Sequence, residues 1–345
     1  MRENLDVTST RVTLTDVATA AGVSVSTASR ALTGRGDLKP RTRNLVLRTA
    51  SELGYDAGET TKGRPTTLDL RLIELVLGSF DDAWTDAIVA GARQGAFEHG
   101  FDLVLTLERD DPADDWPARV ARRRPSGVIL GIIRPTTRQL EELALARIPI
   151  VLLDPQSDPQ GRVASIGTTD WQGGYDAGTL LAATAVERFA VVCGTPAFRF
   201  GRAREEGFRA AIADHRGDVL VSRVDSTWSA ADVTPELRRV LTESDTPIGV
   251  FACNDEMALS VYRTAKAVRR RIPQDVSVVG YNDEPRATLV DPALTSVRQP
   301  LEAMAARAVQ VVSELRVAGQ ERFDRIELPT RLIVRGSTLP PRSAE

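Results

Sequence analysis

The chain of 345 residues holds only two histidines, His99 and His215, and two cysteines, Cys193 and Cys253. So few imidazoles support neither a Ser-His-Asp triad nor a histidine metal cluster, and no catalytic residue, metal ligand or cofactor is assigned. No P-loop, no G-x-S-x-G and no G-x-G-x-x-G after a strand occurs, which argues against the common enzyme classes built on α/β folds. The residues that do gather chemistry are suited to binding. Three of the four tryptophans, Trp84, Trp171 and Trp228, stand near Asp, Asn or Arg, although aromatic residues make up only 5% of the chain. The set comprises Phe80, Asp81 and Trp84, then Asp170 and Trp171, then Arg204, Trp228, Asn254 and Asn282. Flat apolar rings beside fixed donors and acceptors are what a polyol needs, since its C–H faces stack while its hydroxyls demand directed partners.

Such side chains must be held by regular elements. Apolar runs read as strands at 70–77, 103–107, 127–133, 150–153, 190–193, 219–224, 248–252 and 276–279. Amphipathic segments at 86–99, 173–184, 204–214, 232–242 and 256–268 separate them. Strand–helix alternation over this length predicts an α/β body with parallel sheets covered on both faces, and a break near residue 160 divides it into two halves. The candidate ligand residues follow the strands, where open parallel sheets bind ligands.

The first 65 residues carry ten Lys/Arg against seven Asp/Glu, a net +3, whereas the remainder carries −6 of the total −3. A basic head on an acidic body fits an anionic partner for the head alone. Thr13 and Asp16 have capping-box spacing, Leu14, Val17, Ala18 and Ala21 share a helical face, and Gly22 stops that helix. Ser24 caps a second helix over Val25–Leu32, and a third runs from about Pro40 to Leu53, with Leu45, Thr49 and Leu53 inward and Gly54 as its stop. Two short helices across a tight glycine turn make a helix-turn-helix.

The run VTLTDVATAAGVSVSTASRALTGRGDLKPRTRNLVLRTASELGY closely resembles the head of the LacI family of bacterial transcription regulators. Gly280-Tyr281-Asn282-Asp283, the stretch Ile272–Val279 and the stretch Leu294–Pro300 extend the resemblance over nearly the whole chain. It implies a three-helix helix-turn-helix head plus a two-subdomain periplasmic-binding-protein-like body closing on a ligand. It implies that the second helix enters the major groove, with Val25, Ser26 and Arg30 meeting base edges and Thr27 and Ser29 meeting phosphates. The caps Thr13 and Ser24 complete that set. The chemistry agrees, because arginine pairs two-pronged with guanine and valine touches a thymine methyl. It also implies that Arg204, in Arg-Glu-Glu-Gly-Phe, holds ligand hydroxyls together with Trp228, Asn254 and Asn282; many relatives have Asp at the last position.

The linker departs from the family, which continues with Pro-Asn and a hinge helix. Asp56–Pro65 has no such pair and no apolar wedge. Lys62-Gly63-Arg64-Pro65 resembles the core of an AT-hook, a basic clip for narrow minor grooves, and a plain flexible tether is the other reading. The expected organisation is a head at 1–55, a linker at 56–67, a body at 68–338 and a tail at 339–345 lacking a tetramerising leucine heptad. The expected partners are double-stranded operator DNA, a small carbohydrate effector and a second copy in a homodimer, with no membrane span or signal peptide and a cytoplasmic location. A transport receptor that binds sugar without a DNA role is the alternative, which would have no use for the head.

Overall fold

Short runs of Val, Ile and Leu bounded by Gly, Pro or polar residues form strands, most of them buried on both faces. The computed structural model describes residues 12–33, 38–55, 71–109, 115–156, 161–229, 234–318 and 325–342. The head comprises α1 (Leu14–Ala20), α2 (Val25–Thr33) and α3 (Pro40–Glu52) around Val17, Ala18, Ala28, Ala31, Val46 and Ala50. Its third helix is turned from the expected face. Val46, Thr49 and Ala50 are buried, whereas Leu45 and Leu53 are 44% and 39% exposed. Val46 and Ala50 join Ala28 and Ala31 in the core of the head.

The first lobe is a parallel sheet in the order β11–β5–β4–β3–β1–β2, built from β1 (Leu72–Leu77), β2 (Asp102–Leu107), β3 (Gly127–Gly131), β4 (Ile150–Leu153), β5 (Ala164–Thr168) and β11 (Arg325–Leu328). Side chains alternate across it. Leu75 packs with α4 (Ala83–Glu98) and α11 (Leu301–Ala318), and Val76 packs with α5 (Trp116–Arg123) and α6 (Thr137–Leu145). The second lobe has the order β12–β10–β9–β8–β6–β7, from β6 (Arg188–Cys193), β7 (Val221–Asp225), β8 (Ile248–Ala252), β9 (Val276–Asn282), β10 (Thr295–Arg298) and β12 (Arg331–Ile333). Only β12 runs antiparallel. Helices α7 (Asp170–Ala183), α8 (Arg199–Arg216), α9 (Pro235–Thr242) and α10 (Asp255–Ala267) cover this lobe.

The two halves are not contiguous. The chain passes between the lobes at 168–170, 298–301 and 328–331, so α11 and β11 return to the first lobe and β12 returns to the second. A single break near 160 is therefore corrected to three crossings. Hydrogen bonds tie the crossings together: Gln299 Nε2 donates to Thr168 Oγ1 at 2.8 Å, and the Thr330 amide donates to Thr169 Oγ1 at 3.0 Å. Residues 339–342 reach the second lobe, where the Arg342 amide donates to the Ala183 carbonyl at 2.8 Å.

Candidate ligand cleft and DNA-reading face

In the head, Asp16 Oδ2 accepts from the Thr13 amide at 2.7 Å, and Thr13 Oγ1 accepts from the Asp16 amide at 3.3 Å. This reciprocal cap starts α1, and Gly22, at φ 63°, turns the chain into α2. Ser24 Oγ accepts from the Thr27 amide at 3.1 Å and lies 2.9 Å from Ser26 Oγ and 2.8 Å from Thr27 Oγ1. Three hydroxyls thus gather at the positive end of α2, a natural anion-facing surface. Burial of Ala28 and Ala31 fixes the helix rotation, leaving Val25, Ser26 and Arg30 exposed and Thr27 and Ser29 half-buried. Arg30 Nε donates to the Ser26 carbonyl at 3.3 Å, which lays the guanidinium along the exposed face. Lys62 and Arg64 lie outside the described residues.

Between the lobes, at the carboxyl ends of both sheets, lies a cavity of about 380 Å³. Trp84 lines it from the first turn of α4, and Trp228 lines it from the loop after β7. Trp228 has a left-handed backbone, φ 68°. Its indole packs edge-on to Phe198 at 5.6 Å and against Phe200 at 5.3 Å. The glycine after β6 makes this seat, because a Cβ at Gly194 would occupy the indole itself. Asn254 has both ends of its side chain engaged. Its Oδ1 accepts from the Met257 amide at 2.7 Å, starting α10, and its Nδ2 donates to the Trp228 carbonyl at 3.1 Å. Asn254 therefore lines the cavity and also holds the Trp228 loop.

Arg204 and Asp170 are each 3% exposed and form an ion pair at 2.9 Å. The guanidinium also donates to the Cys253 carbonyl at 2.8 Å and lies over the Tyr281 ring at 3.7 Å. Helices α7 and α8 cross closely enough for this pair only because a Cβ at Gly174 or Gly207 would strike the backbone of the other helix. Asn282 Nδ2 donates to Glu284 Oε1 at 2.9 Å. Four buried polar atoms around the cavity have no protein partner: Asp154 Oδ1, Asn282 Oδ1, Gln299 Oε1 and Trp228 Nε1. Burial, reinforced by nearby Asp170, pushes the Asp154 carboxyl up to about 7 against the opposing pull of Arg204 and Arg325. Ile132, Asp154, Trp228 and Asn282, four of the eight described non-glycine residues with positive φ, line this one cavity. Such strain concentrates where a fold must aim side chains at a ligand.

The cavity thus brings together Trp84, Arg204, Trp228, Asn254 and Asn282 from the sequence-derived set. Asp170 is outside its lining and pairs with Arg204, which is in it. Phe80 and Asp81 are exposed and outside its lining, and Trp171, 43% exposed, stacks on Tyr175 at 5.2 Å away from it. Asp154 and Gln299 are lining residues that the sequence reading does not include. The signal for Asp154 was its place immediately after an apolar strand, and that for Gln299 its place in the stretch 294–300.

Among the described residues no helix is long and apolar enough to cross a membrane, and no cluster of three His, Cys, Asp or Glu is set to hold a metal. Residues 13–57 match the model of bacterial regulatory proteins of the lacI family, and residues 179–338 match a periplasmic binding protein-like domain. The transcriptional regulator CelR of Thermobifida fusca is 32% identical over 340 residues, covering 95% of this chain and 98% of that protein. DegA of Bacillus subtilis (strain 168), also a transcriptional regulator, is 26% identical and covers 96% of this chain and 99% of its own length. The structure of a CelR–cellobiose complex superimposes with a TM-score of 0.70 at 29% identity, over 95% of this chain and all of that one. The lac repressor dimer bound to operator and the anti-inducer ONPF gives 0.70 at 25% identity, over 95% and 99%. Head, two-lobed body and likeness from end to end agree, and this chain belongs to the LacI family of bacterial transcription regulators.

Proposed function

We propose that the protein is a cytoplasmic, homodimeric repressor whose operator affinity is lowered when a small carbohydrate occupies the cleft. The observation that carries the effector class is the group of four unpartnered buried polar atoms, three acceptors and one donor, on Asp154, Asn282, Gln299 and Trp228, residues that line the cavity together with Trp84. An unpaired buried polar group costs about 1–3 kcal/mol, so this wall favours a ligand that supplies several hydroxyls. A hydroxyl both donates and accepts, and the indoles suit the apolar face of a pyranose or furanose. CelR with cellobiose is a relative seen with such a ligand. The ligand residues in this reading are Trp84, Asp154, Arg204, Trp228, Asn254, Asn282 and Gln299; the cleft is assigned no catalytic step.

Operator reading falls to Val25, Ser26 and Arg30, with Thr13, Ser24, Thr27 and Ser29 on the phosphates. Residues 1–55 act as the head, 56–67 as the linker, 68–338 as the body and 339–345 as the tail. Two-fold pairing doubles the base contacts and fixes half-site spacing. The test is calorimetry of the full chain with a panel of mono- and disaccharides that includes ribose and cellobiose. Gel shifts follow, on a duplex selected from a random pool. Saturable binding by a sugar that also weakens the shift supports the reading. Absence of sugar binding across the panel, or sugar binding that leaves the shift unchanged, overturns it.

A further inference from the structure

Beneath the cleft, two cysteines face each other across neighbouring strands. Cys193 ends β6 and Cys253 follows β8; extending the Val192–Ala252 register by one residue pairs them. Their sulfurs are 3.7 Å apart, and both side chains are buried. Cys193 Sγ donates to Glu205 Oε2 at 3.3 Å, and Glu205 is held by Arg209 at 2.9 Å and Arg223 at 3.1 Å. Both cysteine carbonyls carry parts of the cleft. That of Cys253 accepts from Arg204 at 2.8 Å, and that of Cys193 accepts from the Ser226 amide at 2.8 Å, two residues before Trp228. Next to Cys193 is Gly194, on which the Trp228 indole sits.

We propose that Cys193 and Cys253 form an intramolecular disulfide on exposure to hydrogen peroxide, and that this bond reshapes the floor of the cleft through Trp228 and Arg204. A disulfide needs sulfurs at about 2.05 Å and Cα atoms about 4.4–6.8 Å apart, and adjacent strands about 4.8 Å apart place paired residues within that range. Closing the remaining gap between the sulfurs requires side-chain rotation and movement of both strand ends.

The chemistry balances with the peroxide as the sole oxidant. Cys193 Sγ attacks one peroxide oxygen and passes its proton to Glu205. The O–O bond breaks, and the leaving hydroxide takes that proton away as water, leaving a sulfenic acid. Cys253 Sγ then attacks the sulfenic sulfur, and its proton departs with the sulfenic hydroxyl as a second water. Two thiols give up two electrons, and one peroxide becomes two waters. The hydrogen bond shared with Cys253, then burial, holds the Cys193 thiol far above its ordinary range. The pair is therefore slow to react and resists alkylation in the native protein. Glu205, 16% exposed, accepts the Cys193 hydrogen bond and relays its proton. Against the opposing effect of burial, Arg209 and Arg223 hold its carboxyl below the usual range, and so weak a base adds to the slowness of the step.

The experiment treats the reduced full chain with hydrogen peroxide, then denatures it in excess iodoacetamide for intact-mass and peptide mapping. The expected product is two hydrogens lighter and takes up no label. A single Cys193–Cys253 link appears, with a change in tryptophan emission that dithiothreitol reverses. Cys193→Ser and Cys253→Ser show no such emission change. Should a serine variant unfold, the oxidised and re-reduced wild-type samples decide alone. Full labelling of both thiols after treatment, a sulfinic acid at Cys193 in place of the link, or a link that leaves emission unchanged overturns the proposal.

Discussion

Asp154 keeps one carboxylate oxygen buried and unpartnered, and the groups that act on its carboxyl are Asp170 from α7, Arg204 from α8, Arg325 from β11 and the Trp84 indole from α4. Its carboxyl titrates near 7, so the unliganded cleft holds a proton on this group below that pH. A ligand hydroxyl donating to the free oxygen favours the ionised form, so binding releases a proton. Carbohydrate affinity is then expected to rise from pH 6 to pH 8, with a limiting slope of about tenfold per pH unit below 7, and to level off above it. Calorimetry in buffers of different ionisation heat reads the released proton directly, and Asp154→Asn should flatten the profile. Folding stability runs the other way. A carboxyl whose folded value is raised contributes fully below its unfolded value near 4, and that contribution is lost as the pH climbs through 7. Arg204 differs in kind, because it belongs to the ion pair with Asp170 and to the stack on Tyr281 as well as to the cavity wall. Arg204→Ala strands a buried carboxylate and should cost about 3–5 kcal/mol in a urea melt.

Among the elements, α2 has the least ambiguous orientation. Ala28 and Ala31 are buried, so Arg30 points away from the head, and its loss leaves no hole. Arg30→Ala should leave the melting temperature of the protein unchanged. It should relax preference at one base pair per half-site, by about 1–3 kcal/mol per contact in competition gel shifts. An equal fall on operator and random duplex would assign Arg30 to a phosphate instead. The head was legible in the sequence because its signals are local: the Thr13–Asp16 box, Gly22 and Ser24 act within four residues of themselves. The central strands were legible for the same reason, and β4 and β8 match the apolar runs to the residue. Strands β5, β10, β11 and β12 were not. Each is five residues or fewer, and Ala164–Thr168 and Thr295–Arg298 carry small or polar side chains, since contacts made far along the chain cover them. The cleft shows the same division. Trp228 and Asn282, placed after strands by residue type, do line the cavity, whereas Gln299 joins its lining through a hydrogen bond to Thr168 across 131 positions.

For the molecule as a whole, both lobes carry apolar side chains with no cover of their own. Leu105 and Leu107 are exposed on β2, the open edge of the first sheet, and Leu289 of the second lobe is 80% exposed. Uncovered edge strands invite pairing, and the proposed two-fold assembly supplies it. Sedimentation at micromolar concentration should give the mass of two chains, and Leu105→Asp with Leu289→Asp should shift it toward one; a wild-type monomer that still binds operator would reject the dimer. The three crossings between lobes have a consequence for the gene that encodes the chain. No uninterrupted stretch of codons specifies either lobe, because the first lobe needs α11 and β11 from beyond the second. A premature stop after codon 300 would leave Ile88, Ala92 and Val151 facing water where Met304, Ala305 and Val309 had packed. Truncation alleles are therefore expected to yield no half-working receptor, only chains for proteolysis. A recombination event that exchanges effector specificity must move the two lobes together or replace individual cleft residues.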